Sequence, residues 1–151
     1  MSNIWKPHAT VAAIIERDKR FLMVQETVGG KIVYNQPAGH LDPHESLLQA
    51  SIRETREETG WQFTPQYISG IYRWEQPVTG KCYLRVAFVG SCSDYKKDLP
   101  LDTGIIKALW LSRDELAAKS SQLRSPLVLR CIDDYLKGKK YPLDLLSDIK
   151  S

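Results

Sequence analysis

"GHLDPHESLLQASIRETREETGW" (residues 39–61) places Glu54, Glu57 and Glu58 beside Arg53 and Arg56, with Asp42 and Glu45 upstream. In a helix, residues three and four apart are neighbours, so these three glutamates would share one face. Leu48, Ile52, Thr55 and Thr59 form a different stripe, suited to packing against a sheet. Two helix starts fit the capping-box pattern, Asp42-Pro-His-Glu45 and Ser46-Leu-Leu-Gln49. A start at Asp42 would put Glu45 and Arg53 about 12 Å apart along the axis, too far for a direct pair. A start at Ser46 leaves Glu45 in the loop, free to fold back onto Arg53. The expected helix therefore begins after Ser46 and stops at Gly60, and Trp61 returns the chain to the core.

Like charges crowded on a solvated helix repel by about a few tenths of a kcal/mol per pair. A hard dication among them reverses the sign, and oxygen-only ligands suit Mg²⁺ or Mn²⁺. On spacing alone, a solvated helix face is the simpler reading.

Strand patterns flank this helix on both sides. "HATVAAII" and "RFLMVQE" surround the charged turn Glu16-Arg-Asp-Lys19 and read as a hairpin. "KIVYNQP" is a short strand that Pro37 should end. "QYISGIYRW" and "KCYLRVAFVG" form a second hairpin about Gln76–Gly80, with Tyr83, Arg85 and Ala87 on one face. "IIKALWL" is a further strand, followed by a short helix capped by Ser112 with Glu115 at its third position. "SPLVLRCIDDYLKG" reads as a last helix, with Ser125 as N-cap, Pro126 in the first turn and Gly138 as stop. Strands and helices in this order predict a single α+β or layered α/β/α domain spanning residues 1–151.

Composition narrows the function. The chain has 151 residues, 42% of them apolar, and a net charge of only +3. Its basic residues are scattered, the Lys137-Gly-Lys139-Lys140 cluster reading as a helix end, so a nucleic-acid polymer is not an expected partner. No run nears the length of a membrane helix, and no signal peptide is evident, so no membrane association is expected. The three cysteines, Cys82, Cys92 and Cys131, lack CxxC spacing and read as reduced packing residues of a cytoplasmic protein.

The opening stretch resembles the Nudix box: Gly39, five residues, Glu45, seven residues, then Arg53-Glu54, two residues, Glu57-Glu58, one residue and Gly60. Every fixed residue type is present at its spacing. Thr55 stands where the family has an apolar residue, Ala38 where many members have glycine, and His44 where glycine often precedes the glutamate. "WKPHATVAAII", "NQPAGHLD", "LRSPLV" and "KYPL" extend the resemblance to a bacterial phosphatase group of the family, along nearly the entire chain. The implied fold is an α/β/α sandwich around a mixed sheet. The implied activity is Mg²⁺-dependent hydrolysis of nucleoside di- and triphosphates and of a thiamine-precursor pyrophosphate, with release of orthophosphate and with Mn²⁺ as a possible substitute. Cleavage of triphosphates between the first and second phosphates, and a non-catalytic nucleotide-sensing domain, are the rival readings.

The resemblance also assigns roles. Glu54, Glu57 and Glu58 would hold the metal, with the Ala38 carbonyl as a further ligand. Arg53 and Glu45 would support them, and Gly39 would let the backbone approach the site. Glu54 is the candidate base for the attacking water, whereas His40 and His44 lie outside the family pattern and read as solvated or structural. Many members carry another acid before a late tryptophan strand. Here Asp102 is the only acid of "LDTGIIKALW", distant from Trp110, which leaves an extra base or ligand in doubt. Arg85, Trp74 and Arg124 are the candidate substrate contacts: guanidinium groups for phosphate, an indole for a ring, and the last helix's N-terminus near Arg124 for an anion. A monomer is expected.

Overall fold

The computed structural model describes residues 3–150. Its central sheet has the order β5 (Ala38–His40), β1 (His8–Ile14), β7 (Cys82–Ser93), β6 (Gln62–Glu75). β1 and β7 run parallel and the other pairs antiparallel, so the sheet is mixed. β1 sits in its interior, and Val11 to Ile14 are at most 1% exposed. A strand covered on both faces is expected to be continuously apolar.

The covers are two helices. α1 (Leu47–Thr59) lies on the face that carries Val11, Ala13, Val86 and Phe88, with Ala50 fully buried there. α3 (Leu127–Leu136) lies on the opposite face, where Val128, Cys131 and Ile132 pack on Ile14, Ala87 and Val89. This is the α/β/α arrangement that the sequence implies. All three cysteines are free and buried.

A second, antiparallel sheet places β3 (Arg20–Val28) between β4 (Lys31–Asn35) and β8 (Ile105–Ser112). Here the structure corrects the first hairpin. β1 and β3 belong to different sheets, and only the two-residue β2 (Glu16–Arg17) pairs with the start of β3. Asp18 and Lys19, both at positive φ, make the tight turn. β1 must lie flat between two helices while β3 serves the other sheet, so the chain turns away after Ile15. The second hairpin, β6 with β7, forms as expected, although β6 starts at Gln62 and carries register shifts at Pro65 and Ile68.

Helix ends follow local chemistry. Ser46 and Gln49 form a reciprocal capping box on α1, and Gly60 closes it at φ 78° with its N–H on the Arg56 carbonyl. The short α2 (Arg113–Ala118) has the Ser112–Glu115 box. At α3 the first helical residue is Leu127, with Pro126 as the residue before it. The Ser125 hydroxyl still accepts the Leu127 N–H at 3.2 Å, so it caps from one position further out than expected. Thr55 solves its unusual position by donating its hydroxyl to the Ser51 carbonyl at 2.8 Å while fully buried.

Candidate active site

α1 presses its acidic face against β5. Gly39 permits this, because a Cβ there would overlap the carboxyl group of Glu54. Beside it, the Ala38 N–H donates to Glu58 Oε1 at 2.9 Å. This bond engages the Ala38 amide and leaves its carbonyl as a separate group.

Arg53 organises the acids. Its Nε and Nη2 donate to the two oxygens of Glu45 at 3.0 and 2.7 Å, a bidentate pair. Nη1 donates to Glu54 at 2.9 Å and to Glu57 at 3.3 Å, and Nη2 also reaches the His40 carbonyl at 3.0 Å. Donation to the carboxylates of Glu45 and Glu54 holds the guanidinium charged. One arginine therefore ties the loop before α1, strand β5 and two metal-candidate glutamates together.

The three glutamates divide. Oxygens of Glu54, Glu57 and Asp102 come within 4.8 Å of one another. Glu58 stands apart, deeper and mostly buried, on the Ala38 amide. Asp102 is brought there by its own N–H, which donates to the Glu57 carbonyl at 3.0 Å. The doubt raised by its distance from Trp110 in sequence does not apply in space. Burial pushes the Glu54 carboxyl up to about 7 and the Glu58 carboxyl up to about 9, with neighbouring acids adding to both. Such a set is short of positive charge. A hard divalent cation fits the all-oxygen donors Glu54, Glu57 and Asp102.

A cavity of about 630 Å³ opens beside these acids, between the β3–β4 and β6–β7 hairpins. Glu54, Glu58, Gly39 and His40 line one side. Arg85, Trp74 and Arg124 all reach it, from β7, β6 and the approach to α3. Arg85 is 5% exposed, and neutral amides hold it: Gln36 at 2.9 Å and Asn35 at 3.1 Å. Its Nε has no partner among the described residues. Trp74 stacks on Tyr83 at 5.9 Å and 23°, and also packs against the core.

The sequence reading missed two neighbours. His8 stacks on Tyr83, and its Nδ1 lies 3.0 Å from His40 Nε2. Burial, and then the charge of His8, lowers the His40 pKa, and the pairing occupies one ring nitrogen. Glu26 also lines the cavity, bound to Arg124 at 3.0 Å. No short-range signal marks either residue, since both act across strands distant in sequence.

Gly39→Ala is expected to displace the Glu54 carboxyl while leaving the fold intact, because the clash falls on a side-chain end. The turnover rate should fall about 10²-fold, the usual result of misplacing a reacting group by an ångström. Steady-state kinetics with a thermal melt check this, and an unchanged rate would remove Glu54 from the reaction.

Acidic residues on a helix seated against Gly39, a buried guanidinium and a cavity between two hairpins suit a divalent cation and a phosphate-bearing small molecule. The chain belongs to the Nudix family: residues 6–131 match the family model described as NUDIX domain. It is 39% identical over 145 residues to "Phosphatase NudJ" of Escherichia coli, covering 96% of this chain and 94% of that protein. The same-named protein of Shigella boydii matches to the same extent. Among solved structures, a NUDIX hydrolase from Nitrosomonas europaea superposes with TM-score 0.94 at 50% identity, covering 95% of this chain and 98% of that one. A MutT protein from Methanosarcina mazei gives 0.69 at 26% identity, covering 91% and 100%. No helix among the described residues is long and apolar enough to cross a membrane.

Proposed function

We propose that this protein is a Mg²⁺-dependent phosphohydrolase that removes orthophosphate from nucleoside di- and triphosphates and from the pyrophosphate of a thiamine precursor. It works as a single domain and a monomer, in the cytoplasm, on small molecules and not on nucleic-acid polymers. The observation that carries this reading is that Glu54, the member of the Glu54–Glu57–Asp102 cluster that lines the cavity, shares that cavity with the buried, acid-free guanidinium of Arg85.

Glu54, Glu57 and Asp102 would hold the cation, and Glu58, outside that cluster on the Ala38 amide, would be a further acidic group for it. When bound, the cation supplies charge neutralisation for the pyrophosphate and its leaving group, and Mn²⁺ would serve as well. Glu54 would accept the proton of the attacking water. The water oxygen bonds to the terminal phosphorus as the bridging P–O bond breaks. Arg53 and Glu45 keep Glu54 in place, and Gly60 ends the helix so that Trp61 can re-enter the core. Arg85 and Arg124 bind phosphate oxygens, and Trp74 offers a flat face to a base or pyrimidine ring.

A panel of pyrophosphate compounds with separate readouts for orthophosphate and pyrophosphate tests this reading. Orthophosphate from several nucleotides at similar efficiency is the expected result. Pyrophosphate from a triphosphate would instead assign a nucleotide-pool-sanitising activity.

Trp74→Ala is expected to weaken ring-bearing substrates by about 1–3 kcal/mol, the usual worth of one stacking partner. Inorganic pyrophosphate analogues should be spared. Equal kinetics for wild type and variant across ring-bearing substrates would make Trp74 a core residue only.

A further inference from the structure

Glu26 has no place in the box, yet it faces the same cavity as Glu54 and Glu58. Its side chain is 16% exposed. A lone carboxylate in a cavity that receives phosphate would repel its ligand, and here Arg124 offsets it through a 3.0 Å bond from Nη1. No other side-chain hydrogen bond of Arg124 is formed among the described residues, so Nε and Nη2 remain available.

Both ends of Arg124 are anchored. Its backbone N–H donates to the Tyr34 carbonyl of β4 at 2.8 Å, and its guanidinium is tied to β3. The ladder between β3 and β8 slips by one residue between Gln25 and Glu26. Such irregularities re-aim side chains at sites. Arg85 differs, because neutral amides hold it. Of the two arginines, one is a buried charge and the other a fork set by an acid.

We propose that Glu26 is a positioning residue: its carboxylate fixes the Arg124 guanidinium at the cavity so that the remaining N–H groups meet a substrate phosphate. This rests on the phosphohydrolase reading above, in which Arg124 binds phosphate. It adds a residue that neither the box nor the acidic cluster contains. A planar, preset fork loses less freedom on binding than a mobile one, so the benefit appears in binding and not in the chemical step.

The test is a double-mutant cycle on the full chain: wild type, Glu26→Gln, Arg124→Ala and the double variant. Two readouts are taken with Mg²⁺ present. One is steady-state kinetics on the nucleotide that wild type turns over best. The other is calorimetric binding of a methylene-bridged nucleoside diphosphate that cannot be hydrolysed. Glu26→Gln, which keeps the shape and removes the charge, should raise KM and the analogue Kd about fivefold, with kcat within about twofold. Arg124→Ala should raise both about tenfold or more. The double variant should be no worse than Arg124→Ala alone.

Three results overturn the proposal. One is a fall in kcat at unchanged KM for Glu26→Gln, which would put Glu26 among the reacting groups. Another is full additivity in the double variant, and the last is no analogue binding by wild type. Absence of turnover on every compound would strike the substrate reading itself, while the binding cycle would still decide the role of Glu26.

Discussion

Chelation with EDTA is expected to abolish hydrolysis, and added Mg²⁺ to restore it. Glu54, Glu57 and Asp102 bring carboxylate oxygens within 4.8 Å of one another, an arrangement of like charges that a bound dication would stabilise. The metal-free protein should show this strain as a pH effect. Glu54 and Glu58 have carboxyls pushed up to about 7 and about 9 from an ordinary 4.5, chiefly by burial. Between those limits the folded chain binds more protons than the unfolded one, so stability falls as pH rises through the window. A cation held by ionised carboxylates displaces these protons, and its apparent affinity should increase with pH. Thermal melts with and without Mg²⁺ should therefore diverge as the solution becomes more alkaline. Full activity in a metal-stripped sample would remove the cation from the reading.

Glu57→Gln and Glu58→Gln are expected to cost about 10²-fold or more in turnover, the scale of groups that act on the transition state. The structure separates their reasons. Glu57 belongs to the cluster with Glu54 and Asp102, so its variant should need more Mg²⁺ for half-maximal rate. Glu58 lies outside that cluster and accepts the Ala38 N–H, a bond that glutamine can keep. Its loss should therefore appear at saturating Mg²⁺ and without unfolding. Arg53→Ala removes support and no reacting group, so its loss should be smaller. His40→Ala should stay within about tenfold, since its ring is engaged by His8 and a general base contributes more than that. Equal damage from His40→Ala and Glu57→Gln would reassign the base.

Some of the site was legible because its information is local. The capping box at Ser46, the stop at Gly60 and the return of Glu45 to Arg53 depend on spacings within one helix and its preceding loop. The identity of the cation class follows from residue chemistry alone, as carboxylates are hard ligands. Other parts had no local signal. The runs "HATVAAII" and "RFLMVQE" look like hairpin partners, and their separation into two sheets depends on what covers each face. Arg85 reads as a phosphate contact on its strand, and its amide cradle of Gln36 and Asn35 is formed by a neighbouring segment.

The sequence by itself determined the acidic helix, its ends, the family and the oxygen-rich chemistry, since these rest on periodicity and residue type. Only the tertiary structure decided which acids meet. It brought Asp102 to Glu54 and Glu57, set Glu58 apart on the Ala38 amide, and joined Glu26 to Arg124 at the cavity wall. Those pairings depend on strand register and loop path, through which residues far apart in the chain come within hydrogen-bond distance, and spacing along the chain does not encode them.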